Sequence, residues 1–255
     1  MNFAVKFSHF IFLFALLLLP LLTYTQDFVC SRATYYGSPN CLGNPTGACG
    51  YGDYGTTVND GNVAAVSGLY RGGIGCGGCY QVRCKSAECT DDGVQVVVTD
   101  HGAGDHTDFI MSPRSYGKMA RPGLEGELLA YGVVDIDYRR VPCRYGGSNL
   151  IVVLHERSSY PHYLALLIKY QPGLIDVVAV EIWQEDCKEW RPMRKPFGAV
   201  WDMENPPRGT PLSIRFIIIP GGAASANDAQ SVEMPSLIPD NWKAGDSYDT
   251  GIQLN

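Results

Sequence analysis

No stretch of the 255-residue sequence concentrates lysine or arginine: 20 basic residues face 26 acidic ones, for a formal charge of −6. A chain without a basic patch has no electrostatic footprint for nucleic acid. Its acid excess also gives it no long-range attraction to acidic polymers, so a neutral partner fits better. No Asn-x-Ser/Thr acceptor occurs; Asn44-Pro45-Thr46 comes nearest, and its central proline rules it out, so N-glycosylation is not expected. Beyond the N-terminal run there is no second apolar stretch of membrane-spanning length. There is no βαβ rhythm and no internal repeat. Cysteine is nearly missing from the second half: eight of nine lie between Cys30 and Cys143, and only Cys187 lies beyond.

What is present starts with a leader. Lys6 precedes an apolar run from Phe10 to Leu22, broken by Pro20 and followed by Thr23-Tyr24-Thr25. A basic start, a short apolar core and small residues describe a secretory signal peptide over residues 1–25, cleaved near Thr25/Gln26. In a secreted chain the cysteines read as a disulfide framework. Their asymmetry suggests a first domain stapled by bonds of roughly 2–4 kcal/mol each and a second held by its core.

Residues 30–37 resemble a strand ending in a turn, and helical periodicity is absent over 26–60. Residues 61–70 suit a short helix or a strand equally. Val94, Val96 and Val98 alternate as in a strand that ends at Thr99-Asp100-His101. Ser112 as N-cap and Pro113 at the first helical position predict a helix within 109–121. Residues 131–143 alternate and return to Cys143, closing a domain over 26–143; 144–149 read as a linker. From 150 to 255 the texture changes. Strand-like segments at 149–157, 162–170, 176–184 and 212–219, with turns between, suggest an antiparallel sandwich.

Chemistry could reside in Asp100, Asp105 and Asp108, since glycoside hydrolysis needs two carboxylates across the scissile bond. Aspartates also cap turns. His101 and His106 with these aspartates match no closed metal site, so no metal or cofactor is expected. The Cys76/Cys79 pair with Cys84 and Cys89 could ligate zinc, but the oxidising compartment favours disulfides. Thr34, Tyr35 and Tyr36 offer hydroxyls and flat rings suited to sugars. Tyr163, Tyr170, Trp183, Trp190, Phe197 and Trp201 are either core or a stacking platform.

Several of these segments resemble the plant expansins, in particular the expansin-like B subgroup. They are Ala33-Thr34-Tyr35-Tyr36-Gly37, Gly47-Ala48-Cys49-Gly50-Tyr51-Gly52, Cys76 to Cys84, Val98-Thr99-Asp100 and Tyr138 to Cys143, then Phe197-Gly198-Ala199-Val200-Trp201 and Ile238 to Ala244. The resemblance implies an all-β protein: a six-stranded double-psi β-barrel similar to family-45 endoglucanases, then an immunoglobulin-like antiparallel β-sandwich that binds carbohydrate. It implies disulfides Cys49–Cys76, Cys79–Cys143 and Cys84–Cys89; Cys30–Cys41 is the expected fourth, with Cys187 free. Thr34, Tyr36 and Asp100 match the family's polar groove, which Tyr35 and Asp108 are expected to complete. Tyr163 and Phe197 match the sandwich's binding face, Phe197 standing where the family has tryptophan.

The departure lies at Thr107-Asp108-Phe109-Ile110-Met111-Ser112. Aligned on Phe109 and Ser112 with the family's His-Phe-Asp-Leu-Ser, the chain has Ile110 where the acid should be. No candidate base stands near Thr34 to Gly37. Without a base an inverting hydrolase cannot activate water. The expectation is therefore a secreted, monomeric cell-wall protein that binds cellulose, xyloglucan or related glucans and loosens the wall without hydrolysis. Two alternatives are a weak glucan hydrolase using Asp100 and Asp108, and a secreted defence or recognition protein.

Overall fold

A computed structural model describes residues 27–103, 107–221 and 228–254. The proposed signal peptide, Asp105 and His106 lie outside the described residues. The first six strands are β1 (Val29–Tyr35), β2 (Val63–Val66), β3 (Cys79–Cys84), β4 (Val94–His101), β5 (Phe109–Met111) and β6 (Val133–Arg140). They close into a barrel in the order β1-β5-β2-β4-β3-β6. β1 runs parallel to β5 and β2 parallel to β4, while the remaining pairs are antiparallel.

The alternation in β4 sets this register. Val94, Val96 and Val98 fill the barrel with Val82, Phe109, Met111 and Ile136, and Gln95 turns outward, its amide donating to Pro142 O. Residues 61–70 resolve into strand β2 followed by a 3₁₀ turn at Gly68–Gly73. All four residues of β2 are buried because both of its faces are covered. Ala64 and Val66 point into the barrel, and Val63 packs on Val58, Cys79 and Val97 outside it. This double burial erased the alternation that would have marked a strand.

Three short helices flank the barrel: α1 (Asp53–Thr57), α2 (Pro113–Gly117) and α3 (Glu125–Tyr131). Helix α2 starts at the expected cap, with Ser112 Oγ accepting from Ser115 N at 3.2 Å. Phe109–Met111, which precede that cap in the 109–121 segment, form β5, because they pair with Ala33–Tyr35 on one side and Ala64–Val66 on the other. Helix α1 falls where no helical period was visible; five residues are too few to show one.

Disulfides join Cys49 to Cys76, Cys79 to Cys143 and Cys84 to Cys89. The expected Cys30–Cys41 bond is absent, and Cys30, Cys41 and Cys187 are exposed free thiols. Topology explains this. Cys30 pairs with Asp137 near the start of β1, whereas the Cys41 carbonyl accepts from Arg114 N, at the end of the barrel where β5 runs into α2. Five strand residues at about 3.3 Å each put Cys30 roughly 16 Å from Tyr35, and a disulfide needs Cα atoms within about 7 Å.

The second half adds β7 (Ile151–Leu154), β8 (Tyr163–Lys169), β9 (Ile175–Gln184), β10 (Glu189–Pro192), β11 (Arg194–Phe197), β12 (Val200–Glu204), β13 (Leu212–Pro220), β14 (Gln230–Ile238) and β15 (Ser247–Asp249). One sheet has the order β10-β9-β13-β14, the other β11-β12-β8-β7-β15. Leu164, Leu166 and Ile168 of β8 meet Val180, Ile182, Ile214 and Phe216 between the sheets. Ala165 and Leu167, on the opposite face of β8, are buried too. Leu167 joins Ala199 in the barrel's own apolar cluster.

The barrel and sandwich are docked by backbone. Ala199 N donates to Cys49 O at 2.9 Å and Cys143 N to Pro172 O at 2.7 Å. A Cβ on Gly73 would stand 2.1 Å from Gly198 O, so only glycine allows the approach. Beneath this seam Asp176 is 1% exposed. It pairs with Arg140 at 2.6 Å and Arg71 at 2.8 Å, both from the barrel half.

Candidate functional site

An open groove of about 780 Å³ lies at one end of the barrel, its walls including Tyr36, Asn44, Asp53, Asp100, His101 and Ile110. Asp100, near the C-terminal end of β4, is its most firmly held group. Its Oδ1 accepts from Ala48 N at 2.6 Å and from His101 N at 2.8 Å, and its Oδ2 accepts from Asn44 Nδ2 at 3.1 Å. Gly47 permits this: a Cβ there would lie 2.7 Å from Thr99 O and 3.2 Å from Asp100 Cγ. The Cys49–Cys76 bond anchors the same loop from below. The result is a fixed hydrogen-bond acceptor facing the groove.

Burial, and then the nearby Asp100 charge, push the Tyr36 phenol well above its ordinary range, so it remains a hydroxyl donor. Tyr70 Oη donates to Ala48 O at 3.3 Å, and its ring lies against His101 at 4.6 Å. Ile110 and Ala65 give the groove an apolar floor. These groups can accept and donate hydrogen bonds around a polar ring while covering its apolar face.

The structure brings Tyr36 and Asp100 together and places the other expected groove residues elsewhere. Thr34 Oγ1 donates to Gly132 O at 2.7 Å. Tyr35 Oη donates to Leu129 O at 3.0 Å, with its ring 4.9 Å from Tyr116. Asp108 accepts from Ser31 Oγ at 2.6 Å, outside the groove. Asn44 and Asp53 were not anticipated. Both sit in loop or short-helix segments without periodic pattern, and only the fold carries them to Asp100. Among the described residues no three His, Cys, Asp or Glu side chains are grouped to hold a metal.

A second candidate surface lies on the sandwich. Phe197 ends β11 with 39% of its surface exposed. Its ring lies 6.3 Å from His155, with the Arg157 guanidinium 5.9 Å away. Tyr163 projects from the same face, since Phe197 pairs with Val200, Val200 with Leu167, and Leu167 lies four positions along β8 from Tyr163. Tyr163 Oη donates to Asp202 Oδ2 at 2.7 Å, and Asp202 is held by Arg194 at 2.8 Å. Burial, then the bond to Asp202, raise the Tyr163 phenol's pKa.

The other aromatics divide by position. Trp201 is core. Tyr170 packs at the seam against Tyr54 and Tyr145. Trp183 and Trp190 pair across β9 and β10, on the four-stranded sheet, away from Phe197 and Tyr163.

Comparison with known proteins matches both halves. The DPBB_1 family, lytic transglycolase, matches residues 62–138, and the expansin C-terminal domain matches residues 152–230. Expansin-like B1 of Arabidopsis thaliana is 54% identical over 98% of this chain and 100% of its own length. Expansin-like B1 of Oryza sativa subsp. japonica is 42% identical over 91% of this chain and 90% of its own. Among solved structures, the apo Clavibacter michiganensis expansin superposes with a TM-score of 0.64 at 20% identity, covering 89% of this chain and 98% of that one. A mutant of the same expansin in complex with cellohexaose gives 0.65 over the same shares. The bacterial structures speak for the fold, the plant sequences for kinship, and the chain belongs to the expansin superfamily, on its expansin-like B side.

Proposed function

We propose that the chain is a secreted wall protein that binds β-glucan across the barrel groove and the Phe197–Tyr163 face, and loosens glucan contacts without cleaving them. The carrying observation is the state of Asp100, the firmly held one of the groove's two carboxylates. Asp100 is committed to three N–H donors, and Ile110 makes the neighbouring floor apolar. Inverting hydrolysis needs one group to protonate the leaving oxygen and another to activate water. A fixed acceptor beside an apolar floor suits binding instead. The cellohexaose held by the Clavibacter mutant supports a glucan as the ligand class. Among the described residues no helix is long and apolar enough to cross a membrane.

The test is to incubate purified protein with cellulose and xyloglucan, follow extension of isolated walls under load, and assay reducing ends. Binding and extension without new reducing ends are expected; absence of binding to either polymer overturns the reading. Phe197→Ala should weaken binding, because a buried aromatic face contributes roughly 25 cal/mol per Å². Hydrolysis retains one observation in its favour: Asp53 lines the same groove as Asp100. New reducing ends that vanish in Asp53→Asn would establish it.

A further inference from the structure

A second cavity, of about 370 Å³, opens between barrel and sandwich. Tyr54 and Asp53 line it from the barrel; His155, Glu156, Lys169 and Ser247 line it from the sandwich. Its position is defined at both ends. Asp53 also lines the glucan groove, and the His155 ring abuts Phe197. A chain running from groove to Phe197 therefore passes the mouth of this cleft.

The cleft holds a cation with no counter-ion. The Lys169 ammonium lies 5.0 Å from the centre of the Tyr54 ring. It makes no hydrogen bond or ion pair among the described residues. That ring is itself fixed, since Tyr54 Oη accepts from Tyr170 N at 3.1 Å and its edges meet Tyr51 and Tyr170. Burial lowers the Lys169 pKa, the mark of a charge short of solvation. A second donor lines the same cleft, opposite Ala165 and so about four strand positions from Lys169. His155 Nδ1 accepts from Arg157 N at 3.1 Å, so the neutral ring carries its proton on Nε2. The two acids of the cleft, Asp53 and Glu156, are exposed, where the high dielectric of water weakens their field.

We infer that this cleft is a subsite for a carboxylate carried by the bound glycan, a hexuronate residue whose charge pairs with Lys169. In the groove Asp100 is fixed as an acceptor for neutral hydroxyls and would repel a carboxylate placed beside it. The cleft reverses that preference a few residues away. The protein thereby reads a neutral backbone and an acidic residue at two separate places. The inference rests on the glycan-binding reading above, and the two can fail separately.

The probes are cellohexaose and cellohexaose oxidised at C6 so that it carries glucuronate carboxylates on an unchanged backbone. Calorimetry at low salt is expected to show the oxidised form binding about three- to tenfold more tightly. The gain should vanish in Lys169→Met, which keeps the apolar stem, and persist in Lys169→Arg. Raising salt from roughly 0.01 M to roughly 1 M, which shortens the Debye length from about 30 Å to about 3 Å, should remove the gain in the unaltered protein. Equal affinity for the two probes at low salt overturns the inference, as does a gain that survives Lys169→Met or high salt. Failure of unmodified cellohexaose to bind would count against the glucan reading, while the oxidised probe and its salt response would still decide the cleft.

Discussion

Gly50 of the barrel and Phe197 of the sandwich are in contact: a Cβ on Gly50 would stand 2.8 Å from Phe197 Cε2 and 3.0 Å from Val200 Cγ2. The exposed aromatic of one domain thus rests on the backbone of the other. Gly50 is two residues from Ala48, whose N–H holds Asp100. Three consecutive residues of one loop therefore connect the groove's acceptor to the platform's ring through the backbone.

Gly50→Ala should break that connection. The residue has φ +77°, where a side chain is strained, and the added methyl has no room before the Phe197 ring. A loss of about 1–2 kcal/mol in stability is expected, together with weaker glucan binding than in Phe197→Leu, which leaves the backbone alone. Chemical denaturation and a pull-down on cellulose measure the two effects. Unchanged binding in Gly50→Ala would show that groove and platform act separately.

Asp100→Ala and Asp100→Asn should differ in degree. Alanine strands the Ala48 and His101 N–H groups and the Asn44 amide, at about 1–3 kcal/mol. Asparagine keeps one acceptor oxygen but turns an NH₂ toward a donor. Both should lose glucan binding, and Asp100→Ala should unfold at the lower denaturant concentration. Equal midpoints would mean that the three hydrogen bonds do not hold the loop.

The frame of this site is readable in the sequence, and its furniture is not. The period-two valines of β4 announce a strand, and a strand announces its end, so local pattern puts Asp100 at a strand end and the resemblance assigns it to the groove. Strand alternation over 30–36 would put Thr34 and Tyr36 on one face. But β1 ends at Tyr35, so the pleat no longer governs Tyr36. Thr34 goes to Gly132 O, and Tyr36 turns into the groove. Asn44 and Asp53 have no periodic neighbours to betray them. Lys169 shares a face with Tyr163 by alternation, yet only the docked barrel, through Tyr54, turns that end of the strand into a cleft. Contacts between distant segments leave no period in the chain.

Asp176 should make the domain seam sensitive to strong acid. Burial raises its pKa, but Arg140 and Arg71 outweigh burial and hold it below the usual carboxylate range. A depressed carboxylate contributes stability that is complete above its unfolded value, about 3.9, and is lost as pH falls through the folded value. The seam should therefore keep its full strength in mildly acidic solution and weaken only below about pH 4. Asp176→Asn removes the counter-charge of the buried Arg140, whose Nη1 already has no hydrogen-bond partner among the described residues. It should cost about 3–5 kcal/mol at neutral pH, and progressively less below about pH 4, where the unaltered protein loses the same contribution. Urea titrations of both proteins across that range give the comparison. A constant difference at all pH values would assign the effect to shape rather than charge.

Lys195 acts on the same seam with the opposite sign. It sits on β11 with its ammonium 5.1 Å from the Trp201 ring. Burial pushes its pKa down to about 8, with the Asp176 attraction and the Arg71 repulsion as lesser influences. A lysine whose folded value lies below its unfolded value, about 10.4, binds fewer protons folded than unfolded between the two. Stability contributed by this group therefore rises with pH from about 8 to about 10.4, and below about 8 a constant penalty remains. Lys195→Met keeps the packing on Trp201 and deletes the charge. It should stabilise the protein by about 1–2 kcal/mol in neutral and mildly acidic solution, after allowance for partial solvation. The advantage should fade as the unaltered lysine loses its proton, and denaturation midpoints on either side of that window test it. A variant less stable at every pH would mean that the ammonium is a net attraction at the seam, drawn to Asp176 more strongly than it is penalised by burial.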